Sequence, residues 1–180
     1  MENVREELQR RFGATDWRRQ RDDLYGVVLP PDRVVPALGW LKAYTPLVQL
    51  THLTAVDWIE DGEFQLTYLL TDPHGHRSLM VDTRIDRARA EAESIHRLWP
   101  QAVTYEQEIH EMFGIAFPGS PRQGMPFILE GWRDLPPMRR DFDTLAYVEK
   151  HHPMRPGREH TDPRTYVGKV FGERGYLGEK

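Results

Sequence analysis

The feature that most constrains the fold is a run of three short apolar stretches set apart by two tight-turn signals. Leu47–Asp57 (LVQLTHLTAVD), Phe64–Leu70 (FQLTYLL) and Arg77–Thr83 (RSLMVDT) are rich in β-branched, leucine and aromatic residues. Asp61-Gly62 separates the first two, and Asp72-Pro73-His74-Gly75 the last two. Turns this short can join only antiparallel neighbours, so the run predicts a strand meander. Before it, Val4, Leu8 and Phe12 recur at helical spacing within Glu2–Phe12. Leu24–Leu29 reads as a short strand closed by Pro30-Pro31. Asp32 is placed to cap a helix running from Arg33 to about Tyr44, which carries Val34, Val35, Leu38 and Leu41. After the meander, Asp86–Leu98 is rich in Ala and Glu and predicts another helix, ended by Trp99-Pro100. Helices interspersed with hairpin-linked strands predict an α+β fold, an antiparallel sheet with helices packed on one face.

The stretch from Tyr105 to Phe142 is the one the rest of the chain presents. Glu106–Phe113 predicts a short helix. Gly114–Pro126 alternates Gly114, Gly119 and Gly124 with Pro118, Pro121 and Pro126, a pattern suited to an extended, shaped loop. Pro136-Pro137 then leads into Met138-Arg139-Arg140-Asp141-Phe142. Two prolines in front of this cluster favour a fixed geometry, and arginine suits forked contacts with carboxylates. The five tryptophans read as core or staple residues.

Composition removes several classes of function. Among 180 residues there is no cysteine, so the chain offers no thiolate for an iron–sulfur cluster or zinc site and no disulfide. A formal net charge of -4 leaves no basic excess to meet nucleic-acid phosphates. No apolar run approaches the roughly 18 residues needed to span a bilayer. The start, MENVREELQRRF, lacks the apolar centre of a secretory signal, so a cytoplasmic-side location is expected.

The catalytic motifs fail on inspection. Gly114 to Gly119 satisfies G-x-x-x-x-G, but Ser120-Pro121 stand where a phosphate loop needs Lys-Ser/Thr. Neither G-x-G-x-x-G nor G-x-S-x-G occurs. His110-Glu111 is half of H-E-x-x-H, with Gly114 where the second histidine belongs. On a helix Glu108 and Glu111 share a face while Glu106 and Glu108 diverge, so a solvated or partner-facing acidic turn outweighs acid/base catalysis. His151, His152 and His160 are poor preorganised metal ligands on a polar tail. The alternatives in other classes are a stand-alone metal-dependent hydrolase built on those histidines and carboxylates, and a general binding module.

Past Phe142 apolar residues thin out. Residues 1–142 are expected to form the α+β domain, and 143–180 an arm that orders on a partner, favoured over disorder by its spaced Tyr, Phe and Arg.

Glu106-Gln107-Glu108, Glu111-Met112-Phe113-Gly114-Ile115, Phe117, Gly119-Ser120-Pro121 and Pro137-Met138-Arg139-Arg140-Asp141-Phe142 together resemble one signature. It is that of the thirty-kilodalton subunit of respiratory complex I and its relatives in energy-converting membrane-bound hydrogenases. The family pattern is E-R-E-x-x-D-[ML]-F-G-I-x-F-x-G-H-P, then R-[RK]-I-L, then P-L-R-K-D-[FY]. Here Gln107 stands for Arg, Glu111 for Asp and Ser120 for His, and Met125–Leu129 takes the place of R-[RK]-I-L without its arginines. The resemblance implies a cofactor-free, non-catalytic subunit on the cytoplasmic side of the membrane. It would sit peripherally, beside a hydrogenase-like large subunit and an iron–sulfur small subunit, and reach the membrane arm only indirectly. Iron–sulfur clusters, or a nickel–iron centre in the hydrogenases, would lie in those partners. The implied interface residues are Glu106, Glu108, Glu111, Phe113, Gly114, Ile115, Phe117, Gly119, Pro121, Pro137, Arg139, Arg140, Asp141 and Phe142, with Arg139–Asp141 pinning the start of the arm.

Overall fold

In the computed structural model, residues 1–151 are described. The chain divides into two units, Met1–Phe142 and Asp143–Lys180. The first holds α1 (Glu2–Phe12), β1 (Thr15–Arg19), β2 (Leu24–Val28), α2 (Val34–Tyr44), β3 (Gln49–Trp58), β4 (Glu63–Asp72), β5 (Arg77–Asp86) and α3 (Ala102–Phe113). Of the second, the described part is one short helix, α4 (Thr144–His151). The predicted arm, with His152 and His160, otherwise lies outside the described residues.

The five strands are ordered β1-β2-β5-β4-β3. The meander is antiparallel as the turns require, with Trp58 opposite Glu63 and Asp72 opposite Arg77. Gly62 takes the left-handed conformation that the first turn needs (φ 69°). In the second turn Asp72 Oδ1 accepts the amides of His74 and Gly75 at 3.0 and 2.8 Å. The β2–β5 pair is parallel, so the α+β sheet is mixed rather than wholly antiparallel.

Strict alternation along β4 sends Phe64, Leu66, Tyr68 and Leu70 to one face. There they join Leu8 of α1, Leu38 and Leu41 of α2, and Ile109 and Phe113 of α3 in a single core. Helix α1 ends at Gly13 (φ 68°), whose amide bonds Gln9 O while Ala14 bonds Leu8 O, closing the last turn.

Four local features differ from the sequence expectation, the first a strand it did not contain and the others readings that are corrected. Strand β1 (TDWRR) has no apolar face to announce it. It is held by Arg18, which pairs with Asp82 and crosses directly over Gly26, where any Cβ would meet the Arg18 side chain at 2.8 Å. Asp32 does not cap α2: it sits in a 3-10 turn, Pro31–Arg33, paired to Arg33 at 3.2 Å. Helix α3 begins four residues before Glu106, at Ala102, so Glu106 lies in its middle rather than its first turn.

The fourth difference is the largest. Asp86–Leu98 is not a helix. Asp86 ends β5, and the chain then forms an irregular strap with Ala90 at positive φ (45°) and a parallel bridge between Glu91 and Ala116. Helix propensity separates ordinary residues by less than about 1 kcal/mol each. It yields here to Asp57 bonding Arg87, to the backbone pairing at Ala116, and to burial of Ile95 and Trp99.

Candidate functional site

Helix α3 presents its carboxylates in three different settings. Glu106 is 1% exposed. Its carboxylate accepts the Ser94 hydroxyl at 2.7 and 2.9 Å and the Ile95 amide at 2.8 Å, so it fastens the strap to α3 from within. Glu111 is half-buried and accepts three successive amides, from Phe127, Ile128 and Leu129, at 2.8, 2.9 and 3.1 Å. Burial pushes its carboxyl up, but those amides outweigh it and hold the pKa below the ordinary value. Glu108, half-buried, has no hydrogen bond or ion pair among the described residues. It lines a cavity of about 330 Å³ with His52, Met112, Phe113 and Met138.

Gln107 stands where the resembled pattern carries arginine and is buried. Its Nε2 donates to the carbonyls of Pro126 at 2.6 Å and Met125 at 3.3 Å. Gln107 and Glu111 thus grip the 125–129 segment from one helix turn, one by its carbonyls and the other by its amides. His110 Nδ1 donates to Ile115 O at 3.0 Å, which turns its ring into the loop rather than toward a metal. Among the described residues no cluster of three or more His, Asp or Glu could hold a metal ion.

The loop that follows α3 is half core and half surface. Gly114 ends the helix at φ 78°, and Ile115 and Phe117 are buried. The Phe117 amide bonds Gln123 Oε1 at 2.7 Å. Gly119 (φ 86°) and Pro121 are exposed. Beyond them comes a group the sequence reading missed. Met125, Phe127, Ile128, Leu135 and Met138 are all exposed apolar side chains, with Ile128 at 67% and Met138 at 58%. Five such residues in an aperiodic Gly/Pro loop, with no polar partner to face inward, were the available signal.

The Pro-Met-Arg-Arg-Asp-Phe cluster closes back onto the sheet. Asp57, near the end of β3, accepts Arg87 Nε at 2.7 Å and Nη2 at 3.1 Å, and the Arg140 amide at 2.9 Å. Arg87 reaches on to Asp141 at 2.8 Å, and Arg139 bonds the same carboxylate at 3.1 Å. Both guanidinium groups lie over the Phe64 ring, at 5.6 and 5.7 Å. Arg139 holds the Asp141 carboxyl down, at about 2. Burial raises Asp57, but Arg87 and the Arg140 amide bring it below its ordinary value. Arg140 pairs with Glu60 at 3.0 Å in the open. Pro137 is half-buried, Met138 N bonds Met112 O at 3.0 Å, and Phe142 packs on Trp132 with ring centroids 5.7 Å apart. Asp57, Arg87 and Ser94 were not legible beforehand, because each is an ordinary surface-type residue until the fold brings its partner.

An apolar loop is thus tied to the α+β domain by hydrogen bonds from Gln107 and Glu111. The model of the family described as "Respiratory-chain NADH dehydrogenase, 30 Kd subunit" matches residues 27–148, and the chain belongs to that family. It is 34% identical over 121 residues to the C-type subunit of the NADH-quinone oxidoreductase of Moorella thermoacetica, covering 67% of this chain and 81% of that one. To the corresponding subunit of Novosphingobium aromaticivorans it is 32% identical, covering 66% of this chain but 38% of that protein. To the C/D-type subunit of Phocaeicola vulgatus it is 31% identical, covering 78% and 26%. The chain thus spans well under half of the latter two. Among solved structures it resembles a chain of the membrane-bound sulfane sulfur reductase, an archaeal respiratory membrane complex. That match has TM-score 0.74 and 33% identity over 85% of this chain and 91% of that one. A trypsin-resistant fragment (1-134) of Nqo5 shares the fold at TM-score 0.57 and 23% identity, covering 67% and 96%.

Proposed function

We propose that this chain is the C-type subunit of the peripheral electron-transfer arm of complex I or of a related membrane-bound respiratory complex. In this reading it contributes shape and adhesion, and carries no redox centre itself. The hydrogenase-like large subunit and the cluster-bearing small subunit are its neighbours. They hold the iron–sulfur clusters and, in a hydrogenase-type assembly, a nickel–iron centre. The likeness to a chain of the sulfane sulfur reductase supports extending the reading beyond quinone-reducing complexes. Family membership and a sequence without cysteine support the division of labour.

The observation that carries the proposal is the exposed apolar loop gripped by Gln107 and Glu111. An apolar surface normally costs solubility, and here hydrogen bonds hold it open rather than letting it collapse. Such a preorganised patch loses little entropy on binding. Of the signature residues, Glu106, Phe113, Ile115 and Phe117 act from inside by fixing α3 and the loop. Gly119, Pro121 and Met138 are exposed with the patch, and Glu108 lines the cavity beside Met138. Arg139, Arg140 and Asp141 fasten the last residues of the domain to the sheet through Arg87, Asp57 and Glu60.

The test is Phe127→Ser combined with Ile128→Ser. Ile128 is 67% exposed and Phe127 36%, so the pair should cost about 1–3 kcal/mol of folding free energy, short of the stability of a typical domain. The variant should nonetheless be lost from the assembly on gentle detergent extraction. Retention at wild-type stoichiometry would refute the docking role.

A further inference from the structure

Between the start of α2 and the strap lies a second cavity, of about 410 Å³, within the size range of ligand pockets. Its inner wall is Tyr68, Thr83 and Ile85, side chains of the sheet's core face. The outer walls are Pro31–Val35 on one side and the strap at residues 89–93 on the other, with Pro118 of the signature loop at the edge. The strap wall is fixed: Ala116 N bonds Ala90 O at 2.7 Å and Ala92 N bonds Ala116 O at 3.0 Å.

Two features distinguish this cavity from a packing gap. Thr83 is 2% exposed, and its hydroxyl oxygen, buried on the cavity wall, has no hydrogen-bond partner. A buried hydroxyl left unpaired costs free energy, so a group that met it would be held. The lining also carries one acidic charge in excess of its ion pairs. Asp32, Glu91 and Glu93 line the cavity against a single cation, Arg89. Arg33 engages Asp32 at 3.2 Å and Arg89 engages Glu91 at 3.2 Å, while Glu93 has no partner among the described residues. Burial above all, then the charges of Glu106 and Glu93, push the Tyr68 phenol well above its ordinary range.

We propose that this cavity receives one cationic side chain, an arginine or lysine of a neighbouring subunit, whose charged end meets Glu93 and whose N–H groups donate to Thr83 Oγ1. A bare metal ion does not fit, because the carboxylates do not converge into a ligand set. A long side chain with an apolar stem does, since Val34, Val35 and Ile85 flank the route inward. That the side chain comes from a neighbouring subunit rests on the assembly reading above; the cation preference of the cavity does not.

The test uses the purified full chain, titrated with N-acetylarginine amide and followed by amide NMR. The neutral isostere N-acetylcitrulline amide is the control. Saturable shifts at Thr83, Ala92 and Glu93 are expected with arginine and absent with citrulline. Glu93→Gln should weaken binding roughly fivefold, the size of one exposed ion pair. Thr83→Val should weaken it as well without lowering the melting temperature. No saturable shift, equal response to citrulline, or unchanged binding by Glu93→Gln would each overturn the site. The source is tested in the intact assembly by a photo-crosslinking residue at Val35. A crosslink to an arginine- or lysine-bearing segment of another subunit supports it. Crosslinks confined to this chain, or none, reject the neighbouring source even if the free chain binds arginine.

Discussion

Replacing Asp57 with alanine isolates the link between the sheet and the Pro-Met-Arg-Arg-Asp-Phe cluster. The Asp57 side chain is 1% exposed and accepts three hydrogen bonds, two from the Arg87 guanidinium and one from the Arg140 amide. Hydrogen bonds to a charged group contribute about 1.5–3 kcal/mol each. Their sum overstates the net effect, because burying both charges has already cost desolvation. Removing one member of a buried pair costs about 3–5 kcal/mol, mostly through the charge left behind. Arg87 would keep Asp141 at 2.8 Å and is 16% exposed, which favours the lower end, about 3 kcal/mol. For a domain of this size that is a fall in melting temperature of roughly 6–12 °C. Urea unfolding of the full chain, followed by circular dichroism, measures it. Asp57→Ala and Asp141→Ala should also be non-additive, since both carboxylates hold Arg87. A loss under about 1 kcal/mol, or strict additivity, would refute the argument that one charge network clamps the loop.

The same network gives a pH dependence. Asp57 and Asp141 both have folded-state pKa values below their ordinary 3.8, with Asp141 at about 2. Carboxyls depressed on folding stabilise fully above the unfolded value, and that stability disappears as pH falls through the folded value. Stability should therefore decline between about pH 4 and pH 2, and less steeply in Asp141→Asn; a flat profile would contradict it. Glu111→Gln should speed hydrogen exchange at the amides of Phe127, Ile128 and Leu129 while costing about 1 kcal/mol or less, because the carboxylate is partly solvated. Unchanged exchange there would mean that the grip is not what orders the patch. Gly114→Ala should cost about 1–2 kcal/mol, since φ is 78° and a Cβ would approach Pro136 Cγ at 3.2 Å. A neutral result by thermal unfolding would rule out strain at that cap.

How much was legible depends on how local the information is. The meander, α1 and the core residues of α2 could be read because their signals repeat within two to four residues: alternation, helical spacing, Asp-Gly turns. The signature segment was legible as a motif and as a loop, whereas the positive φ of Gly114, Gly119 and Gly124 came only with the structure. What each signature carboxylate does was not legible. Glu106, Glu108 and Glu111 look equivalent in the sequence, yet one is buried against Ser94, one lines a cavity unpaired and one caps three amides.

The sequence by itself determined the α+β class, the order of most elements, the absence of any thiolate chemistry and the family. Only the tertiary structure decided that residues 86–98 form a strap rather than a helix, that Arg18 makes a strand of β1, and that β2 lies parallel to β5. It also decided that residues 125–138 turn apolar side chains outward. The physical reason is common to all four. Propensity differences are tenths of a kcal/mol per residue, whereas buried ion pairs, pairing with distant backbone and core burial are each worth several times that. The partners in those contacts lie up to 83 residues apart, as Arg140 and Asp57 do, beyond the reach of any local pattern.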